Sequence, residues 1–306
     1  MDLTGISTAI LSALFMGTMG VFAKNIRLNA EVITFFRLLI GASFMMLFLL
    51  AIGQLRRINS WPSWPVLVNG GMLAGFIVFY IQAMEYTTMA NAIMLEYLAP
   101  FITSIYAHYF LKERLTWLSL ALLSLALFGF AMMMEFRINL AGSNRHLLGI
   151  GFGILSMFCY ASFILINRII DERIHVYTRT FYQLFVGALV MLPIFLLRSP
   201  DLPMRTWPWL IGAGLVPGFL AILCAVFALS RLPAATFSTL AYFEPITVIF
   251  FGWVLFGESL SRLQLCGCFL IIACGILKVW SCTHTESISK SVNLKTAAGT
   301  GDNFQA

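Results

Sequence analysis

The chain has 306 residues, of which 60% are hydrophobic and 10% charged, with a formal net charge of +6. A soluble domain carries about 25% charged residues, so this composition excludes an ordinary globular protein and places the chain in a bilayer. The basic residues are spread thinly over loops rather than gathered on one face, which excludes nucleic acid as a partner and suits anchors flanking membrane helices.

A spanning helix needs about 20 apolar residues. Cut by that rule, the first half predicts helices at about 5–24, 30–52, 64–86, 90–111 and 115–135. The second half predicts them at about 146–167, 178–198, 207–229, 234–256 and 261–281. The chain opens Met1-Asp2 without a basic segment, so the first run reads as a retained helix and not a cleaved signal. The loops are short and punctuated by Asn29, Gly53, Pro62, Pro65, Gly142, Pro200, Pro203 and Pro208. Beyond Cys282 the chain turns to Ser, Thr, Lys and Gly, and 282–306 reads as a disordered tail. Six cysteines fall in the second half; Cys266-x-Cys268 lacks metal-ligand spacing and a nearby histidine, so they read as small packing residues.

The stretch Ala83–Leu120 recurs 145 residues later as Ala228–Leu265, with nine of 38 aligned positions identical. Among them are Tyr97/Tyr242, Pro100/Pro245 and Glu113/Glu258. Phe35–Ala42 likewise resembles Phe181–Ala188. The expected architecture is therefore an all-α integral membrane protein whose ten transmembrane helices form two five-helix repeats, 1–139 and 140–281. Because five is odd, the copies enter the membrane in opposite orientation, the inverted-repeat plan of secondary transporters. The Lys/Arg bias of the loops, with Arg56, Arg57, Arg168, Arg173 and Arg179 on one side, places both termini in the cytoplasm.

These motifs, Glu96-Tyr97-Leu98-Ala99-Pro100 with Leu111-Lys112-Glu113-Arg114-Leu115, and Tyr242-Phe243-Glu244-Pro245 with Gly257-Glu258-Ser259-Leu260, resemble those of the drug/metabolite transporter superfamily. Within it, the chain is similar to the EamA-type exporters and permeases over roughly 5–281. The resemblance implies a multi-pass protein of the bacterial inner membrane that moves small metabolites such as amino acids, nucleosides, vitamins or drugs. Phe15-Met16-Gly17 stands where many members carry a tryptophan.

Some residues could carry transport chemistry. Proline inside a spanning helix removes a backbone hydrogen bond, so Pro100 and Pro245 read either as paired hinges or as static kinks. Glu96 and Glu244 lie deep in their helices, where an ionisable group costs at least about 2.5 kcal/mol unless it pairs or lines a cavity. Each is read as part of a substrate or proton pathway, or as a structural carboxylate. Arg37 could hold a substrate carboxylate, neutralise Glu96 or reach for the surface. Tyr80, Gln82, Tyr97 and Tyr242 complete the candidate pathway, with Tyr106 a further polar-aromatic group in the same helices, whereas Tyr109 and His108 read more simply as interfacial. Lys112, Glu113, Arg114 and Glu258 read as anchors and loop salt bridges.

No nucleotide-binding loop, paired catalytic carboxylates or metal-ligand cluster is legible, so neither a cofactor nor an enzymatic activity is expected. The expected function is a secondary transporter of a small organic metabolite, coupled to protons or to exchange. Its partners are the substrate and the lipid bilayer, with room left for a homo-oligomer. A membrane-embedded enzyme or a scaffold is the alternative.

Overall fold

The computed structural model describes residues 2–57, 62–113, 115–137, 144–198 and 202–299, leaving aside the side chains of Ala90 and 282–299. Arg114, Gly142, Pro200, the expected repeat boundary at 139/140 and the end of the tail, 300–306, lie outside these.

Helices alone make up the regular structure of the described residues. The first apolar run is broken at Thr18 into α1, Leu3–Gly17, and α2, Met19–Ile26. α3, Ala30–Ala51, and α4, Trp64–Tyr86, follow, the latter started by Pro65 in its first turn. The next run is split at Leu98 into α5, Met89–Tyr97, and α6, Ala99–Phe110, with Pro100 in the first turn of α6. Proline fits there because a first-turn N–H has no partner to lose. α7 is Trp117–Met133, α8 Asn144–Ile169 and α9 Val176–Arg198.

The eighth run begins as α10, Trp207–Ala213, passes through a π-helical turn at 214–220 containing Pro217, and continues as α11, Ala221–Arg231. α12, Ala234–Ala241, and α13, Phe243–Phe256, are split at Tyr242 just as α5 and α6 are split at Leu98. Gly257 ends α13 in the left-handed region at φ 65°, a conformation that costs glycine little. α14, Arg262–Gly299, stays helical through 282–299, the polar stretch whose composition reads as disordered; extending a formed helix is far cheaper than nucleating one.

Eight helical runs are long and apolar enough to cross a membrane, and Trp117–Met133 is a shorter apolar helix. They pack in matched pairs. α1 lies along α11 and α8 along α4; α3 lies against α9, α7 against α14, and α6 against α12. Two hydrogen bonds repeat the match atom for atom. Ser12 Oγ donates to the Ala221 carbonyl at 2.9 Å, and Ser156 Oγ to the Phe76 carbonyl at 2.8 Å. In hydrocarbon such contacts rest on close approach of small residues. At the α7–α14 crossing a Cβ on Gly129 would fall 3.0 Å from the Gly267 carbonyl oxygen, so larger residues would push the helices apart.

Candidate functional site

The matched pairs enclose a cavity of about 390 Å3 between them. The breaks in the two split runs decide what faces it. Glu96 falls in the last turn of α5, two residues before the Leu98 break, and lines the cavity. Glu244 falls in the first turn of α13, two residues after the Tyr242 break, and lines it from the opposite repeat. That helix start presents the positive end of the helix dipole, a favourable place for a carboxylate.

Arg37 reaches the same cavity from α3 and is 6% exposed. Its Nε and Nη2 have no hydrogen-bond partner, and its Nη1 lies 4.0 Å from the Met16 sulfur. Glu244 and Glu96 are the charges that act on it, yet no ion pair within 4.0 Å joins Arg37 to either. The arginine is held from behind. A Cβ on Gly218, in the π turn, would lie 2.5 Å from the Arg37 carbonyl oxygen and 3.3 Å from its Cγ. Only glycine lets the π turn press this closely on α3.

Tyr80 and Tyr97 also line the cavity. Pro245 is in the wall, whereas Pro100 is buried away from it. Two expected members stand elsewhere. Gln82 is half-buried outside the cavity: the lining stripe of α4 runs Leu73, Phe76 and Ile77, Tyr80 and Ile81, then Met84, and Gln82 falls off that face. Tyr242 is fully buried, and its hydroxyl donates to the Tyr97 carbonyl at 2.7 Å. Tyr106 is 42% exposed on the outer surface, and the His108 ring meets the Glu113 carbonyl at 2.9 Å.

The rest of the wall is largely apolar and was not singled out from the sequence. Met16, Met19, Met84, Met133 and Met134 contribute, with Phe130, Phe163 and Phe237. Tyr160, Ser12 and Thr34 add hydroxyls. Methionine inside an apolar span looks like any packing residue; its lining position follows from how the helices cross.

The two ends of the molecule differ. At the end that holds Asp2, Glu113 accepts from Arg168 Nε and Nη2, both at 2.8 Å, and from the Ala234 backbone N–H at 2.8 Å. Arg168 Nη1 also donates to the Leu229 carbonyl at 2.9 Å, and Arg231 pairs with Asp2 at 3.1 Å. Four helix ends and the chain start are thereby tied together. At the other end Glu258 pairs with Lys24, and both side chains are more than half exposed, 54% and 52%. The cavity reaches that end, where its lining includes exposed Ala30 and Val248 at 44% exposure.

Comparison with known proteins places these features. The profile of the EamA-like transporter family matches the chain twice, at 3–135 and 147–279. An uncharacterized transporter of Archaeoglobus fulgidus is 30% identical over 284 residues, 90% of this chain and 96% of that protein. The pseudopaline exporter CntI of Pseudomonas aeruginosa is 26% identical over 278 residues, 88% of this chain and 93% of the relative. The threonine/homoserine exporter RhtA of Escherichia coli K12 is 26% identical over 277 residues, 84% of this chain and 86% of the relative. One solved crystal structure superposes with a TM-score of 0.79 at 18% identity, covering 90% of this chain and 96% of that one, a likeness of fold alone.

Proposed function

The chain belongs to the EamA-like transporter family, and from that membership we propose that it is a secondary transporter working by alternating access. Its cargo is a small organic metabolite, an amino acid or derivative, a nucleoside or a drug-like compound, and its driving force is a proton gradient or exchange. It lies in the bacterial cytoplasmic membrane with both termini inside, as ten spans in two inverted five-helix repeats. The relatives named as exporters of pseudopaline and of threonine and homoserine support outward movement of an amino-acid-like cargo.

One observation carries the reading: the same lock occurs twice, partly buried at one end and exposed at the other. Glu113 and Glu258 are 145 residues apart, and their partners Arg168 and Lys24 are 144 apart. Ser12 and Ser156 with their carbonyl acceptors follow the same spacing. Two copies of one arrangement, related by a twofold axis in the membrane plane, give alternating access a physical basis: each copy adopts the other's state, and the cavity opens to the opposite side. The state described here is sealed at the Glu113 end, the cytoplasmic side in this orientation. The split helices α5–α6 and α12–α13 carry Glu96, Glu244 and the hinge prolines Pro100 and Pro245 at the centre of that exchange.

Proteoliposomes loaded with a metabolite panel, with and without an imposed pH gradient, test the function. Accumulation that follows the gradient and falls in Glu96→Gln and Glu244→Gln supports proton coupling through these carboxylates. Movement that ignores the gradient leaves exchange. No movement of any compound would defeat the transporter reading.

A further inference from the structure

The three charges in the cavity wall are the places where the duplication is broken. Tyr97, Pro100, Ser12 and Glu113 have counterparts of their own kind in Tyr242, Pro245, Ser156 and Glu258. Arg37 has Gln183 as its counterpart, Glu96 has Ala241, and Glu244 has Ala99. The same helix positions are therefore built without charge in the other copy, so the architecture does not require an arginine or a carboxylate there. A buried charge is costly, and a site that keeps one without structural need keeps it for a ligand.

Arg37 is more than nine-tenths buried, lines the cavity, and leaves Nε and Nη2 without a hydrogen-bond partner. These nitrogens belong to a planar fork that matches a carboxylate in two parallel hydrogen bonds. Across the same cavity Glu96 and Glu244 come from different repeats and act on each other as well as on Arg37. Two converging carboxylates make a seat for an ammonium group. The remaining wall of methionine and phenylalanine suits an apolar side chain. A cavity of about 390 Å3 is at the small end of ligand pockets, which run to about 1,000 Å3, so it suits one amino-acid-sized molecule and not a peptide.

We propose that Arg37, Glu96 and Glu244 form a two-pole site for a zwitterion, in which the Arg37 guanidinium takes the substrate carboxylate and the two glutamates take its ammonium, with an apolar side chain against the methionine wall. Compounds lacking either pole leave buried charge unanswered and are rejected, which removes nucleosides and neutral drug-like compounds from the cargo range. The proposal deepens the transporter reading and rests on it for its use, though its binding chemistry can be tested without flux.

The experiment uses the purified full chain in nanodiscs, with binding read by thermal shift and equilibrium dialysis. The probes are leucine, methionine and phenylalanine, each with its deaminated acid and its decarboxylated amine. At least one amino acid should raise the melting temperature and bind at least about tenfold tighter than both of its analogues. Arg37→Gln should cost at least about tenfold for the amino acid and erase its advantage over the amine. Arg37→Lys, with charge but no fork, should fall between the two. Binding of no amino acid, equal binding of amine and amino acid by the wild type, or undiminished binding by a folded Arg37→Gln protein would each overturn the proposal. If Arg37→Gln does not fold, the wild-type ranking of the three compounds decides. Zwitterion binding with this ranking but no flux in proteoliposomes would defeat the transporter reading alone. Flux of a compound without a carboxylate, unaltered in Arg37→Gln, would defeat the two-pole site alone.

Discussion

Tyr242 and Tyr97 hold corresponding places in the two halves of the sequence, and the structure joins them: the Tyr242 hydroxyl donates to the Tyr97 carbonyl at 2.7 Å. The Tyr97 ring meanwhile packs on Phe130 with centroids 4.4 Å apart. The bond sits where both split helices break, inside apolar runs in which an unpaired carbonyl is poorly tolerated. It ties the two breaks to each other.

Tyr242→Phe removes the donor and keeps the ring. The expected loss is about 0.6–2 kcal/mol of stability, between the mean for interhelical hydrogen bonds in membranes and the cost of a stranded buried acceptor. Tyr97→Phe should spare the bond, because there the acceptor is backbone. Thermal unfolding of the two variants in nanodiscs checks the contrast; a Tyr242→Phe protein that melts like the parent would show that the rings, and not the hydrogen bond, hold the breaks together.

The more buried lock is the natural place to tip the conformational balance. Glu113 and Arg168 are 16% and 22% exposed, against more than half for Glu258 and Lys24. Partly buried pairs matter more than surface ones, whose worth is about 0–1 kcal/mol. Glu113→Gln should therefore open the sealed end, and Glu258→Gln should leave it closed. Ala225 lines the cavity, so a cysteine placed there in a chain lacking native cysteines reports access. An impermeant thiol reagent should reach it from one side in the parent and from both sides in Glu113→Gln.

Much of this could be read from the sequence, for physical reasons. A bilayer imposes apolar runs of about 20 residues, which makes the membrane class unmistakable. The recurrence of Tyr97, Pro100 and Glu113 at Tyr242, Pro245 and Glu258 pointed to the matched helix breaks. The break at Thr18 carried no proline to announce it, only Gly17 and Gly20 on either side, and the π turn was announced only by Pro217 among its glycines. Glu113 read as a loop anchor, because its partners Arg168 and Ala234 are distant in sequence and meet it only through packing. Gln82 drew attention as a polar residue in a membrane helix, but its phase on α4 turns it from the cavity.

Asp2 gives the sealed end a dependence on acid. Its carboxylate accepts from the Thr4 hydroxyl, from the Gly5 N–H at 3.0 Å and from Arg231 at 3.1 Å. The Thr4 bond first, with Gly5 and Arg231 behind it, holds the carboxyl below the ordinary aspartate range. A lowered value means that the stabilisation is fully present above the ordinary value near 3.8 and is lost as pH falls through the lowered one. Acidification into that range should fray α1 and lower the melting temperature of the chain. Asp2→Asn, which keeps a helix cap without the charge, should abolish that dependence while costing less than the loss of about 1 kcal/mol expected for Asp2→Ala. An unchanged acid response in Asp2→Asn would assign the effect to another group.

Two glycines in the membrane helices should respond to alanine with opposite sign. A methyl on Gly218 meets the Arg37 backbone at 2.5 Å, a contact that only separation of α3 from the π turn can relieve. Overpacking of this kind costs about 1–3 kcal/mol. The displacement would also move the guanidinium, so Gly218→Ala should weaken zwitterion binding although residue 218 lies outside the cavity wall. At Gly71, on α4, a methyl would meet nothing within 4 Å. Gly71→Ala should therefore gain about 0.4–1 kcal/mol from the lower entropy of the unfolded chain, with binding unchanged. Paired melting curves with and without an amino acid separate the two effects. A Gly218→Ala protein that melts like the parent and binds like it would show that α3 and the π turn can part without disturbing Arg37.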